Sequence, residues 1–181
     1  MKKIILYILL MTTAFGATAQ KYFTKNGGIS FFSKTSMENI EASSNQVLSV
    51  LNMPAGELQF SVLMKSFHFQ KALMEEHFNE EYIESDKYPK ATFKGKITDA
   101  SKIDLTKDGT YTVSATGDLA MHGVTKSITT PATVTVKSGK VSAKAEFNVK
   151  LADYKISIPS VVKSNIAESI KVTVSCNYEK Q

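Results

Sequence analysis

The stretch from Lys107 to Ile128, KDGTYTVSATGDLAMHGVTKSI, constrains the fold of this chain more than any other. Asp108-Gly109 is a tight-turn dipeptide, and the residues after it alternate. Tyr111, Val113, Ala115, Gly117, Leu119 and Met121 share one face, while Thr112, Ser114, Thr116, Asp118, Ala120 and His122 share the other. A period of two over that length is a long β-strand with one apolar face, and it excludes an amphipathic helix. The apolar face is uneven, because Ala115 and Gly117 stand where a solid core would place bulk. The missing bulk admits either a side chain from a facing strand or a space for something else.

The rest of the chain multiplies this pattern. Glu57 to Met64 puts Leu58, Phe60, Val62 and Met64 on one face, and Ala91, Phe93, Gly95 and Ile97 alternate with Thr92, Lys94, Lys96 and Thr98. Val124 to Val136 continues extended, with an irregularity expected at Pro131. Val141, Ala143, Ala145, Phe147, Val149 and Leu151 alternate with polar residues, and Ile170 to Tyr178 forms a last strand. Before these, Asn26-Gly27-Gly28 reads as a hairpin signal, Ser33 to Ala42 as a loop, and Gln46 to Asn52 as a strand apolar on both sides. One helix is expected over 67–78, with Ser66 as its cap and Phe67, Met74 and Phe78 along one stripe. Eight or so strands with short turns predict an antiparallel barrel or sandwich with this helix packed on or over it.

An eight-stranded barrel is just wide enough to be filled by side chains or to hold one small ligand. Its inward positions here are Phe60, Val62, Phe93, Ile97, Val113, Ala115, Leu119, Met121, Val134, Ala143, Phe147 and Val149. Large and small residues are mixed, so the pattern fits an apolar cavity and also fits ordinary interdigitation. In the first case these residues are a ligand-binding lining. In the second the barrel is filled, and its outer surface serves as a protein-interaction or structural module.

Composition narrows the functional classes. The chain has 181 residues, enough for one domain with a substantial core. It has no Arg and no Trp, and its formal charge of +5 is spread thinly, which argues against nucleic acid as a partner. Lys2-Lys3, an apolar run from Ile4 to Met11 and Ala17-Thr18-Ala19 form a secretory signal over residues 1–19, with the mature domain at 20–181. No Cys lies near the cleavage site, so no lipid anchor is expected, and the location is periplasmic or secreted. The lone Cys176 shares a face with Ile170, Val172 and Val174 and is expected to be a small buried hydrophobe.

Two segments carry a resemblance. Tyr88-Pro89-Lys90-Ala91-Thr92-Phe93-Lys94 and Thr116-Gly117-Asp118-Leu119-Ala120-Met121-His122-Gly123-Val124-Thr125-Lys126 are similar to the YP-x-[AI]-x-F and GDL-x-[LM]-HGVTK segments of the YceI-like family. The similarity in pattern runs from about Glu57 to Tyr178, and Leu151-Ala152-Asp153-Tyr154 stands where the family carries an Arg-Xaa-Asp-Phe-Gly-like segment. The resemblance implies an exported bacterial protein with a lipocalin-like antiparallel barrel. It also implies an apolar lipid of polyisoprenoid or quinone type in the lumen, with transient membrane contact for lipid exchange.

Catalysis finds no support in the residues. His68 and His77, nine apart on one helix, point to opposite sides and share no metal. His122 precedes Gly123 at a strand end, and Asp118 lies four residues back, roughly 13 Å along a strand. This histidine reads as a hydrogen-bonded turn residue rather than a ligand. The acidic run Glu75, Glu76, Glu80, Glu81, Glu84 and Asp86 reads as a solvated face. No nucleophile elbow, Cys–His pairing or phosphate loop is present, so no enzyme, metal or cofactor is expected.

Overall fold

A computed structural model describes residues 20–53 and 55–181. The expected signal segment, residues 1–19, lies outside the described residues. Eight strands close into an antiparallel barrel: β1 (Gln20–Lys34), β2 (Asn39–Met53), β3 (Glu57–Leu63), β5 (Lys90–Thr98), β6 (Gly109–Met121), β7 (Val124–Lys137), β8 (Lys140–Lys150) and β9 (Ser169–Lys180). Each pairs with its neighbour around the ring, and β1 pairs with both β2 and β9 to close it. A ninth strand, β4 (His68–Phe69), adds to the far half of β2. The alternation read from Lys107 onward is therefore the inside and outside of one barrel wall.

β6 and β7 form the longest uninterrupted ladder, from Gly109↔Val136 to Met121↔Val124. The turn between them, His122-Gly123, has positive φ at both residues (51° and 71°), the geometry whose twist matches the flanking strands. Ser138-Gly139 joins β7 to β8 in the same way, with φ of 50° and 74°. The β7–β8 ladder then runs only from Lys137↔Lys140 to Ala132↔Ala145. Pro131 offers no N–H to continue it. Beyond that point β8 pairs with β9 alone, and the wall splits between β7 and β8 toward the His122 end.

Several sequence expectations change in three dimensions. Asn26-Gly27-Gly28 is not a hairpin turn but an irregularity inside β1, where the register shifts on both sides of Gly27. A Cβ on Gly27 would sit 2.8 Å from the Cys176 sulfur and 3.1 Å from Val47, so a glycine is needed because three strands crowd there. The loop expected over 33–42 shrinks to the turn between β1 and β2, because the two strands keep pairing up to Lys34↔Asn39. Leu48 and Val50, the second apolar side of the strand read at Gln46 to Asn52, are exposed on the outer wall.

The helix is shorter and later than 67–78. α1 spans Ala72–His77 and widens into a π turn at Phe78–Tyr82. His68 and Phe69 are in β4, since the barrel edge at Ala42 and Ser43 offers backbone partners before a helix can start. Ser66 lies in a short turn and bonds the Leu63 carbonyl (2.7 Å) and Ser44 Oγ (2.7 Å) instead of capping α1. His68 and His77 thus lie on different elements, and among the described residues no cluster of metal-ligating side chains occurs. No helix among them is long and apolar enough to cross a membrane.

Candidate functional site: an apolar lumen under a lid

The two halves of the barrel differ inside. At one end Tyr22, Leu51, Met53, Val113, Val134, Val136, Val141 and Tyr178 are all buried and fill the space between the strands. Tyr178 is anchored there by Ser49, whose Oγ lies 2.9 Å from its hydroxyl and donates to the Gln59 carbonyl at 2.9 Å. Burial pushes the Tyr178 phenol up from its ordinary value, and pushes the neighbouring Cys176 thiol up to about 11. A thiol held that firmly protonated is a packing group.

The other end is hollow. A cavity of about 350 Å³ runs from the middle of the barrel toward the His122 end. Its walls are Ile29 and Phe31 of β1, Leu58, Phe60 and Val62 of β3, Ala91 and Phe93 of β5, and Ala115, Leu119 and Met121 of β6. Ile128 of β7, Ala145, Phe147 and Val149 of β8, and Ile170, Val172 and Val174 of β9 complete the ring. Polar atoms are few. Ser33 Oγ accepts the Ala167 amide at 2.9 Å, and the Thr130 hydroxyl lies 3.2 Å from the Glu146 carbonyl across the β7–β8 split. An empty apolar space of this size forfeits packing on the order of 8 kcal/mol, taking 24 cal/mol per Å³. That is an upper limit, because the mouth is open to water, yet it rivals the net stability of a whole domain.

Of the twelve inward positions named from sequence, Phe60, Val62, Phe93, Ala115, Leu119, Met121, Phe147 and Val149 border this cavity. Ile97, Val113, Val134 and Ala143 do not. They face inward as expected but lie in the filled half, with Val113 paired to Ala132 and Ala143 to both Val134 and Cys176. Alternation places a residue on the inner face; it carries no information about which end of the barrel is hollow. The small residues of β6 also divide. Ala115 leaves room for the cavity. Gly117 faces Gly95 across the β5–β6 ladder, and a Cβ on Gly117 would lie 2.4 Å from the Gly95 Cα. The Phe93 ring lies over this notch, 2.7 Å from where a Gly95 Cβ would sit. Close strand approach explains Gly117, and cavity space explains Ala115.

The hollow end is covered by the segment between β3 and β5. Phe67, Met74, Phe78, Tyr82 and Ile83 all face the lumen. Phe67 and Phe78 pack on Phe31 with ring centroids 5.4 and 5.5 Å away, and Phe69 lies 5.1 Å from Phe78. This aromatic cluster fastens the lid to β1 by burial and favourable ring geometry. The expectation that Phe67, Met74 and Phe78 lie against the barrel holds, although Phe67 precedes the helix. A second cover comes from the β8–β9 connection, through Leu151, Ile156, Val162 and Ile166. At the rim, Glu38 accepts hydrogen bonds from Lys71 Nζ (3.0 Å) and Asn165 Nδ2 (3.2 Å), tying the β1–β2 turn to both covers. These two donors, Lys71 first, hold the Glu38 carboxyl below its usual range. The β1 and β8–β9 contributions were missed in the sequence reading; the Ile29-Phe31-Ser33 alternation was the one signal for the former.

A closed antiparallel barrel with an apolar lumen, filled at one end and lidded at the other, defines a class of protein built to enclose something greasy. The YceI-like domain model matches residues 13–178, and the chain belongs to that family. The match reaches well before Glu57, so β1 and β2 are part of the shared pattern. Among solved structures, a polyisoprenoid-binding domain from Saccharophagus degradans is 17% identical, with a TM-score of 0.77 over 90% of this chain and 99% of its own. BcnA from Burkholderia cenocepacia is 17% identical, with a TM-score of 0.66 over 84% and 96%. The YceI protein of Campylobacter jejuni is 19% identical, with a TM-score of 0.63 over 82% and 88%. No curated protein matches the chain.

Proposed function

We propose that this protein is an exported carrier that holds the chain of an apolar lipid, of polyisoprenoid or quinone type, inside the hollow half of its barrel. The observation that carries this reading is the apolar cavity of about 350 Å³ with aromatic walls and no unpaired charge along its length. It lies at the lower end of the volume range of small-molecule sites. Each methylene transferred from water into such a lining contributes about 0.8 kcal/mol, and no polar group needs a partner there. The name of the Saccharophagus degradans domain, a polyisoprenoid-binding domain of the same fold, points the same way. A head group would sit at the rim near Glu38, His77 and Asn165, in reach of water and of a membrane during exchange. The arrangement suits binding rather than catalysis. Export is supported by the leader-like residues 1–19, and cleavage before Gln20 leaves the Gln20↔Met53 pair of the barrel intact.

The test is a titration with isoprenoid alcohols of increasing length at low and high ionic strength. Affinity is expected to rise with chain length until the lumen is full and to change little with salt. Affinity that ignores length and collapses in salt would overturn the reading. Native mass spectrometry that finds no lipid on freshly purified protein would favour the protein-interaction alternative. N-terminal sequencing of the exported protein is expected to begin at Gln20.

A further inference from the structure

His122 is tied down more heavily than a turn residue requires. Its side chain is only 10% exposed. Nδ1 lies 2.8 Å from the Tyr154 carbonyl, and Nε2 lies 3.1 Å from Glu84 Oε2. The ring also packs edge-on against Tyr88, with centroids 4.7 Å apart. His122, Glu84 and Lys155 all hold positive φ (51°, 48° and 58°), so three left-handed, non-glycine residues lie at or next to one contact.

Both partners of the imidazole are acceptors. A carbonyl cannot donate, and neither can a carboxylate, so both ring nitrogens must carry hydrogen for both contacts to be hydrogen bonds. The arrangement is complete only for the imidazolium. When the ring is neutral, Nδ1–H keeps the Tyr154 carbonyl, and the Nε2 lone pair then faces the Glu84 oxygen. That pairing is repulsive, and Glu84, 43% exposed, has water to turn to.

The three segments joined here are those that close the lumen. Met121, next to His122, borders the cavity, as do Tyr82 and Ile83 just before Glu84, and Leu151 and Ile156 on either side of Tyr154. The 151–154 turn follows β8, at the end where the wall splits from β7. We propose that the His122–Glu84 contact is a proton-dependent latch that holds the 78–88 segment shut over the split, open end of the lumen. The functional consequence rests on the lumen being the ligand site, whereas the latch itself does not. Lys87 is the other charged group facing the pair. Its Nζ lies 3.7 Å from Glu84 Oε1 and 4.9 Å from the Tyr88 ring centroid, and it offers Glu84 a second home once the histidine is neutral. Asp153 and Lys155 flank Tyr154 on the third segment, and the described contacts bring neither to the ring.

The deciding measurement is hydrogen exchange of the Ile83, Ser85 and Tyr88 amides, which bond the Phe78, Asn79 and Glu84 carbonyls. Protection factors, corrected for intrinsic rates, are followed with the His122 ring signals by NMR between about pH 5 and 8, the range in which histidine changes charge. Protection is expected to fall about fivefold as His122 loses its second proton, the scale of one partly exposed charge-assisted hydrogen bond. Glu84→Gln is the sharper variant, because its amide accepts from the imidazolium or donates to the neutral ring. That protein should keep the fold and lose the pH dependence. Dissociation of a fluorescently labelled farnesyl alcohol should accelerate with pH in parallel in the wild type and stay flat in Glu84→Gln. A protein that captures no probe yet shows pH-dependent protection fails as a carrier and retains the latch. One that captures probe with pH-independent protection, or whose Glu84→Gln form keeps the wild-type profile, overturns the proposal.

Discussion

At the Tyr178 end of the barrel, Leu51, Met53, Val134, Val136 and Cys176 are almost wholly shielded and leave no space between them. At the His122 end β3, β5 and β8 carry Phe60, Phe93 and Phe147, larger side chains, yet about 350 Å³ remains between the walls. Large side chains occur at both ends; the hollow end differs in the small residues set among them, Ala91, Ala115 and Ala145, and in how its wall closes. In the filled half, Tyr22 and Tyr178 are buried in the core and the β7–β8 ladder is intact, so the wall is closed. In the hollow half the ladder stops at Ala132↔Ala145, the wall opens, and the Phe93 ring lies over the Gly95–Gly117 notch. A barrel of one strand number can be both solid and hollow along its length.

The comparison can be broken most directly by matched truncations. Leu51→Ala in the filled half is expected to cost about 3.5 kcal/mol, the middle of the range for a buried leucine. Leu119→Ala, whose side chain already borders open space, should cost no more than about half of that. Urea denaturation of both proteins without ligand decides; equal losses would mean that the two ends are packed alike.

Next in size is the notch. Gly117→Ala places a methyl 2.4 Å from the Lys94 carbonyl and the Gly95 Cα, which are backbone atoms that cannot rotate away. A loss of about 2 kcal/mol is expected, within the range for overpacking. A neutral result in thermal or urea unfolding would show that β5 and β6 can separate there.

Enlarging an alanine should separate stability from binding. Ala143→Phe, beside Val134 and Cys176, is expected to destabilise by about 1–3 kcal/mol. Ala115→Phe should leave stability within about 1 kcal/mol, since the ring has cavity to enter, and should weaken isoprenoid capture at least tenfold by removing ligand space. Unfolding curves and lipid titrations on the two variants read both effects.

The smallest effect is alkaline. Tyr178 and Cys176 both have raised values in the folded protein, against 10.0 and 9.0 for the free groups. The unfolded chain releases these protons first, so stability is unaffected below about pH 8 and declines as pH rises through 9 and 10. Tyr178→Phe should flatten part of that decline while costing the Ser49 hydrogen bond at neutral pH. Native Cys176 should resist a thiol reagent at pH 8 until the protein is unfolded.

Period-two alternation from Glu57 onward, with a tight turn at Ser138-Gly139, determined that these strands are antiparallel and which side chains share the inner face, while leaving barrel and sandwich both open. The turn read at Asp108-Gly109 falls earlier, at 104–107, and Gly109 already belongs to β6. Shared faces are a local property, since the pleat assigns each residue a face whatever lies opposite. The YceI-like segments around Tyr88 and His122 were legible for the same reason, as contiguous strings. What only the tertiary structure decided depends on residues far apart in sequence. Ile97, Val113, Val134 and Ala143 read identically to Ala115, Leu119 and Met121, and only their position along the folded barrel separates filled from hollow. Asn26-Gly27-Gly28 carried a turn signal, but Val47 and Cys176 crowding that point made it a straight strand with a bulge. The apolar stripe from Phe67 suggested a helix, but free backbone on β2 took His68 and Phe69 first. Most of all, nothing near His122 in the chain names its partners. Glu84 is 38 residues before it and Tyr154 is 32 after, and a histidine's charge state is set by what surrounds it in space.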